Sequence, residues 1–563
     1  MYVRIVKSRQ RGKVYKSVQI CESYRDKSKS PYPLTRVIAH LGQVDAFSEK
    51  DVDGIINGLC KVFGRQSAKD VVVSSGRDFG HIYALLGIYK ELKIGTILKE
   101  KARARGFKFD MEEHIRVMVL NRLCDPCSKL ALLEWIQGVY LPGIDPEGME
   151  YHHLLRAMDW LIEQKEAIEQ EVAESFLGLF GQEVDLIFYD VTSSYFEGDR
   201  SVSAEDIRRY GYSRDSRPDR RQVVIGLVMT REGIPLAHHV FEGNTTDKKT
   251  VEQVVGDLKQ RFGIRRAVFV ADRGMLSDAN LDTILDAGFD YLISLPMRRS
   301  SVVKKLLKDT ESQWNTDPKA GEQYCLVEEE PGPISYAVAF DPRLAEQVCS
   351  KRTARLERAD LFIRNVQDRL ARAAMPGRRG RPMTVQGAFE RIHDYLRDRK
   401  LERYYHVEMT EEEVVVRANR KARRQERRID GKLVVESSCM GIPAQELICR
   451  YKELADIERA FRTLKSSLEL RPMHHWTEKR IRAHVFLCVL ALQIQRYMRC
   501  RLAESELSPE RVIQRLKTLK AGTLRSPAGE TRYLAALEDR HKEALKQLQL
   551  PFPKLKHLEA DTL

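Results

Sequence analysis

Short apolar runs alternate with amphipathic segments through the centre of the chain, and this pattern predicts a mixed α/β sheet. The run LIFYDVTSSYF at residues 186–196 is apolar, β-branched and aromatic and too short for a core helix, so it predicts a buried strand. Residues 222–243 predict two strands joined at Glu232-Gly233, and an amphipathic helix follows. The run AVFVADRG predicts another buried strand, and a helix that ends at Gly288 leads to the strand YLISL. Sites in such sheets gather where the strands end.

The regions on either side of this pattern differ from it. The first 21 residues contain six Lys or Arg and no acid, and their alternation predicts a basic β-hairpin, either a solvated strand edge or a DNA-contacting arm. Residues 77–181 have helical periodicity, with Asp110 and Ser128 as expected N-caps. The tail from about Leu502 is helical in pattern and polar.

Composition and charge narrow the function classes. The 563 residues include 95 Lys or Arg and 81 Asp or Glu, a net charge of +14 that favours a polyanionic partner. Positions 351–430 hold 22 Lys or Arg and 13 Asp or Glu, so +9 lies within one seventh of the length. The sequence has no run of about eighteen apolar residues and no secretory signal, and its ten scattered cysteines are typical of reduced thiols. We therefore expect a cytoplasmic protein that binds nucleic acid and contacts no membrane.

Two carboxylates stand at the ends of apolar runs. Asp190 ends LIFYD, and Asp272 ends VFVAD. An ionised side chain at the end of a buried strand is unfavourable unless a cation compensates it. If the two strands are neighbours, both carboxylates lie at one sheet edge, and an all-oxygen site favours Mg²⁺ or Mn²⁺ over Zn²⁺. The alternative is that one or both carboxylates cap a turn.

A third carboxylate, Glu458, lies on a long helix predicted for residues 442–470. Tyr451, Glu458 and Lys465 recur every seven residues, so they share a helix face, and Arg462 lies one turn beyond Glu458. That face offers a metal ligand flanked by groups that suit a phosphodiester. The alternative is a set of ordinary solvated helix pairs.

Three segments in combination resemble the DDE transposases of bacterial insertion sequences: DVTSSYFEG (190–198), ADRGM (271–275) and YKELADIERAFRTLK (451–465). The resemblance is to the branch in which a large insertion precedes the Glu and the Glu helix carries a Y-x2-R-x3-E-x6-K signature. Tyr451, Glu458 and Lys465 fall at signature positions, but Leu454 stands where the signature has Arg. The resemblance spans roughly residues 185–500.

This resemblance implies a ribonuclease H-like catalytic domain in an α/β protein. Asp190, Asp272 and Glu458 would hold two Mg²⁺ ions, with Mn²⁺ as a substitute. The implied reaction is metal-dependent hydrolysis of a strand at the transposon end, after which the freed 3′-OH attacks target DNA.

The resemblance also implies partners and phosphate contacts. Tyr451 and Lys465 would contact phosphate near the scissile bond, and Arg462 or Arg459 would replace the missing signature Arg. The expected partners are duplex DNA, both the terminal inverted repeats and the target, and a second copy of the chain in a dimeric synaptic complex.

The insertion adds further expected DNA contacts. Arg378, Arg379 and Arg381 are expected to bind DNA phosphates, and the alternative is a solvated surface. Trp314 is a candidate for stacking on a flipped base, and the alternative is an ordinary packed aromatic.

Composition and resemblance together divide the chain into six parts. A basic β-rich element and a helical region expected to bind DNA ends come first. The ribonuclease H-like domain follows in two parts, separated by a basic α+β insertion, and a helical tail ends the chain. The bounds of the six parts are 1–75, 76–183, 184–300, 301–440, 441–500 and 501–563.

Other readings remain open at this point. Cys124 and Cys127 form a CxxC pair, but no second pair with zinc spacing follows it, so structural thiols are expected. Three function classes fit the residues: an active transposase, a transposase-derived nuclease or DNA-binding regulator without catalysis, and a metal-dependent phosphatase. We favour the first class and keep the second as the alternative.

Overall fold

The computed structural model describes the following residues: 1–10, 13–26, 28–30, 32–63, 72–103, 105–180, 185–198, 206–309, 315–316, 321–329, 334–373, 382–526 and 529–559. The strands β1 to β17 are, in chain order, Tyr2–Gln10, Lys13–Tyr24, Leu34–Gln43, Val72–Asp78, Leu186–Tyr195, Gln222–Met229, Pro235–Glu242, Val268–Asp272, Asp290–Ser294, Asn315–Thr316, Gln323–Glu329, Ile334–Phe340, Tyr405–Met409, Val414–Ala418, Lys432–Ser437, Lys520–Ser526 and Gly529–Leu534. The helices α1 to α18 are Glu49–Val62, Gly80–Glu91, Ile94–Arg103, Met111–Cys124, Leu132–Gly138, Tyr151–Glu163, Lys165–Phe180, Val251–Gln260, Asp278–Asp286, Ser301–Asp309, Pro342–Ala373, Val385–Asp398, Arg420–Ile429, Ala444–Lys452, Ala455–Arg462, Glu478–Arg501, Pro509–Lys517 and Asp539–Gln547.

The N-terminal residues form a three-stranded antiparallel sheet in the order β1-β2-β3. The hairpin of β1 and β2 pairs Tyr2 with Cys21, as the alternation of the first residues predicts. Helix α1 follows, and Ser48 and Asp51 cap its first turn reciprocally.

A nine-stranded mixed sheet forms the centre of the fold, in the order β10-β11-β12-β15-β9-β8-β5-β6-β7. Strand β8 is parallel to both of its neighbours, β5 and β9, whereas all other neighbours in this sheet are antiparallel. The strands predicted between residues 186 and 295 are all present. Residues from the predicted insertion add β10, β11, β12 and β15 beyond β9, so the sheet continues into that region.

Alternate side chains of the central strands enter two cores. Phe188, Val270 and Leu292 belong to the larger core, which also contains helix α16. Ile187 and Phe269 belong to a smaller core on the other face, with helices α8 and α9. Helix α16 is buried along most of its length, because it is apolar on nearly all sides.

The C-terminal tail is only partly helical, which corrects the prediction. Between helices α17 and α18, strands β16 and β17 form a hairpin, and β16 also pairs with β4 near residue 75. The two partners are more than 400 residues apart, and the short strand KAGTLRS has little apolar alternation to mark it. Local pattern therefore could not show this pairing.

Among the described residues, no helix combines the length and apolar character that a bilayer span requires. The division of the chain into six parts remains a prediction.

Candidate active site

Asp190 and Asp272 lie on adjacent parallel strands. Asp272 is the last residue of β8, as predicted, but Asp190 lies in the middle of β5, because that strand continues from Leu186 to Tyr195. The continuation is paired on its other side, against β6. The parallel ladder of β5 and β8 pairs Phe188 with Val270, and the same register two residues further on puts Asp190 opposite Asp272.

Strand alternation sets the face on which these carboxylates lie. Phe188 and Val270 face the larger core, and side chains two residues apart on a strand share a face. Asp190 and Asp272 therefore lie on the α16 side of the sheet. On the next strand, β9, Ser294 pairs with Asp272, and its Oγ donates to Asp272 Oδ1 at 3.3 Å.

The segment that carries Glu458 packs on this same face, but it is not one helix. Helix α14 ends at a turn, α15 begins at Ala455, and a π-helical turn follows at Thr463–Ser467, which corrects the single helix predicted for residues 442–470. Leu454 lies at the break and packs against the larger core, so an apolar residue suits this position. Ile457 and Phe461 of α15 are buried, whereas Glu458, on the flank of this buried face, is exposed.

The surroundings of Tyr451 bring the three carboxylates into one neighbourhood. Burial and, to a smaller extent, the negative charges of Asp272, Glu458 and Asp190 together raise the pKa of Tyr451 to about 12, while a hydrogen bond with Ser294 opposes the rise. One phenol is therefore within electrostatic reach of all three acids, although 268 residues separate Asp190 from Glu458.

The surroundings of Asp190 disfavour the charged form of its carboxylate. Burial raises its pKa to about 7, and the charges of Asp247 and Glu458 act in the same direction. The amide of Val191, which donates to Asp190 Oδ1 at 2.7 Å, and the guanidinium of Arg214 oppose this rise. A partly desolvated carboxylate with two acidic neighbours fits a divalent cation with oxygen ligands.

The spacing of the three acids is looser than in a single closed metal site. Among the described residues, the set whose ligand atoms all lie within 4.8 Å of one another is Glu150, His152 and His153, and the three acids are not such a set. Two ions about 3.5–4 Å apart do not require all their carboxylates to be mutual neighbours. The loose spacing is therefore compatible with a pair of ions.

Comparison with known families shows what this sheet and its acids belong to. A family model described as the transposase DDE domain matches residues 185–494, which is more than half of the chain. The chain belongs to the DDE transposases. A second model, the N-terminal domain of IS1634 family transposases, matches residues 3–70 of this transposase. The predicted resemblance to insertion-sequence transposases is thus confirmed. No curated protein matches the chain.

The predicted phosphate-contact residues of the transposase are in different environments. Lys465 is largely buried, and its Nζ lies 2.9 Å from Asp215 Oδ1. Arg471 lies 2.7 Å from the other oxygen of Asp215. Arg462 is exposed on α15. Sequence reasoning missed Asp215 and Arg471, since nothing local marks their pairing with Lys465.

Four residues of the insertion are predicted to contact DNA. Trp314, Arg378, Arg379 and Arg381 lie outside the described residues. Their roles therefore remain predictions.

The CxxC pair is in an ordinary environment for structural thiols. Asn121 Nδ2 donates to Cys127 Sγ at 3.3 Å, and burial raises the pKa of Cys124. Neither cysteine belongs to the close-ligand set found among the described residues.

Proposed function

We propose that this transposase binds the ends of an insertion sequence, hydrolyses a DNA strand there and joins the freed 3′-OH to target DNA. Asp190, Asp272 and Glu458 would hold two Mg²⁺ ions, for which Mn²⁺ can substitute. The observation that carries the proposal is the register of β5 and β8, which puts Asp190 opposite Asp272 on the sheet face that is covered by α15, the helix of Glu458.

The order of the central strands supports a ribonuclease H-like catalytic domain. The antiparallel strands β7, β6 and β5 are followed by the parallel strands β8 and β9, and the acids lie on adjacent strands and on a helix that packs over them. The insertion enters after β9 and returns through β15 before α14, so it separates Asp272 from Glu458 in sequence without separating them in the fold.

The three acids and their neighbours have different roles at the DNA backbone. When bound, a pair of divalent ions activates water and stabilises the leaving oxygen of an in-line displacement. Tyr451 is protonated at neutral pH, as an unperturbed tyrosine also is, so its hydroxyl can donate to a phosphate oxygen. Arg462 is exposed near Glu458 and can contact a phosphate directly.

Lys465 has a different part in the site. Its charge is already paired with Asp215, so it holds the loop of residues 211–222 beside the Glu-bearing segment. It contacts phosphate only if DNA displaces that carboxylate. The missing signature Arg is thus replaced functionally by Arg462, while Leu454 contributes to packing.

The partners follow from charge and family. A net charge of +14 suits binding to the terminal repeats and to target DNA, and the helical region of residues 76–183 is the proposed end-binding part. We propose a homodimer that pairs two ends in a synaptic complex. The alternative is a protein that binds DNA but has lost catalysis, and intact acids at all three positions favour activity.

Cleavage of synthetic DNA ends tests the proposal. The substrate is a labelled duplex that carries the inverted repeat from the DNA flanking the coding region, incubated with Mg²⁺, with Mn²⁺ or with a chelator. We expect strand cleavage with either metal and none with the chelator. Asp190→Asn, Asp272→Asn and Glu458→Gln should each abolish cleavage while end binding, measured by fluorescence anisotropy, remains.

Asp282→Asn, which changes an exposed acid on α9, is the matched control and should cleave normally. End binding without cleavage under every metal condition would favour the catalytically lapsed alternative. Near-normal cleavage by one of the three variants would remove that residue from the metal-binding set.

A further inference from the structure

Helix α13, Arg420–Ile429, separates its charges onto opposite faces. Five cations are exposed to solvent at positions that repeat with helical spacing: Arg420, Lys421, Arg424, Arg427 and Arg428. We call these five residues the α13 basic face. In the described part of the chain, none of them forms an ion pair. The acids of the same segment, Glu426 and Asp430, are both buried.

The two acids are neutralised by cations from other elements. Arg298 binds Glu426 with two hydrogen bonds of 3.0 and 3.1 Å, and Arg403 also pairs with it. Arg352 pairs with Asp430, with Nη1 2.6 Å from Oδ1. No carboxylate of this segment is therefore left to neutralise the α13 basic face.

In the free protein this arrangement is unfavourable. Arg420 and Lys421 lie in the first turn of the helix, where the macrodipole disfavours cations. Arg424 lies four residues from both Arg420 and Arg428, and like charges at this spacing repel each other. An anionic ligand that lies along the helix would relieve both effects.

The topology places the C-terminal end of the helix at the edge of the sheet where β8 ends at Asp272. Gly431 connects α13 to β15, which is antiparallel to β9 and pairs Val435 with Ser294. An antiparallel neighbour begins at the edge where β9 ends, and this is the edge where β8 ends at Asp272. The six Cα-to-Cα steps from Ile429 to Val435 span at most about 22 Å.

We propose that the α13 basic face binds the phosphate backbone of duplex DNA that is held at the carboxylate edge of the sheet. This inference rests on the proposed function for the identity of the ligand, and it assigns the contact to a helix that the sequence did not single out. The five cations extend over about 12 Å of helix, which matches the width of a DNA groove and lets them reach phosphates on its border. Such contacts do not depend on base sequence.

The test compares two triple variants that lose the same charge. Arg420→Gln, Lys421→Gln and Arg424→Gln together remove three cations of the α13 basic face, and Gln keeps the helix propensity. The control combines Arg397→Gln, Arg540→Gln and Lys542→Gln, three exposed cations that already have carboxylate partners in Asp394, Glu538 and Asp539.

Binding is measured by anisotropy without divalent cations, on an end duplex and on a scrambled duplex, between 50 and 300 mM NaCl. For the α13 triple variant we expect the negative slope of log K against log salt to become shallower by roughly 2–3 on both duplexes, at about 0.9 for each lost phosphate contact. The control should keep the wild-type slope.

The outcomes separate this inference from the proposed function. If the α13 triple variant keeps the wild-type slope while wild-type protein binds and cleaves ends, the helix contact is wrong and the transposase function stands. If wild-type protein binds neither duplex, both proposals are wrong.

Thermal stability without DNA at low salt gives a second readout. We expect a higher Tm for the α13 triple variant, because it removes cations from the first turn, and a lower Tm would show that these cations stabilise the fold, which would overturn the inference.

Discussion

Lys465 and Asp215 form an ion pair with 2.9 Å between Nζ and Oδ1, although 250 residues separate them in the chain. Asp215 also lies 2.7 Å from Arg471, so one carboxylate sits between two cations. The side chains of Lys465 and Asp215 are 12% and 9% exposed, which makes this a largely buried group. It ties the loop of residues 211–222 to the segment that carries Glu458.

The first prediction concerns this ion group. Asp215→Asn leaves two cations facing a neutral amide, and removing one partner of a buried pair costs about 3 kcal/mol of unfolding free energy. Urea denaturation should show the loss, and DNA cleavage should fall with it, because the loop is no longer held. Asp219→Asn is the matched control in the same loop, since Asp219 pairs with Arg217 but is exposed. Its unfolding curve should be that of wild type, and equal losses in both variants would contradict the buried role of Asp215.

The Asp215 group also shows what the sequence could and could not predict. Period-2 and helical patterns are local, so they located the strands around Asp190 and Asp272 and the segment with Glu458. The run at residues 186–196 predicted the whole of β5, but Asp190 was treated as the end of an apolar run, so its position in the middle of the strand was missed. Pairings across hundreds of residues, such as Lys465 with Asp215, depend on packing that no local pattern records.

A second prediction follows from the close approach of two backbone segments. Gly243 lies where an added Cβ would overlap the carbonyl oxygen of Gln222 and crowd that of Arg209. Gln222 Nε2 donates to the carbonyl oxygen of Gly243 at 2.9 Å, so these segments cannot separate freely. We expect Gly243→Ala to reduce the unfolding free energy by about 3 kcal/mol or to prevent folding.

Helix α8 offers the control for that substitution. A Cβ at Gly256 would meet nothing within 4 Å, so Gly256→Ala should raise stability by about 0.5–1 kcal/mol through helix propensity. Both values can be measured by chemical denaturation. A stable Gly243→Ala variant would show that the backbone at Arg209 and Gln222 can move away from residue 243.

A third prediction concerns the C-terminal tail. Leu516 of α17 is fully buried in the larger core, and Leu545 of α18 lies in the same core. The apolar faces of the tail helices therefore pack against the core of the same chain. Leu516→Ala should reduce the unfolding free energy by about 3 kcal/mol. Leu555→Ala, at a residue that is 58% exposed, should change stability little. If Leu516→Ala altered the oligomeric state in ultracentrifugation and left stability unchanged, the tail would be an interface between copies.

The last prediction concerns acid stability. His81 is buried, and neither of its ring nitrogens has a hydrogen-bond partner in the described structure. Burial lowers its pKa to about 4; the charge of Asp78 opposes this, and Lys517 and Lys520 add to it. In the unfolded chain the pKa is near 6.5, so as the pH falls the unfolded state binds this proton first. The contribution of a neutral His81 is therefore complete above pH 6.5 and is lost as the pH falls toward 4. At pH 5 the loss is about 2 kcal/mol for this residue alone.

The variant His81→Leu tests this contribution. Its difference in unfolding free energy between pH 7.5 and pH 5 should be smaller than that of wild type by about 2 kcal/mol. His393→Gln, at a half-exposed histidine, should leave the difference unchanged. An unaltered pH difference in His81→Leu would mean that His81 takes up a proton in the folded state as readily as in the unfolded chain.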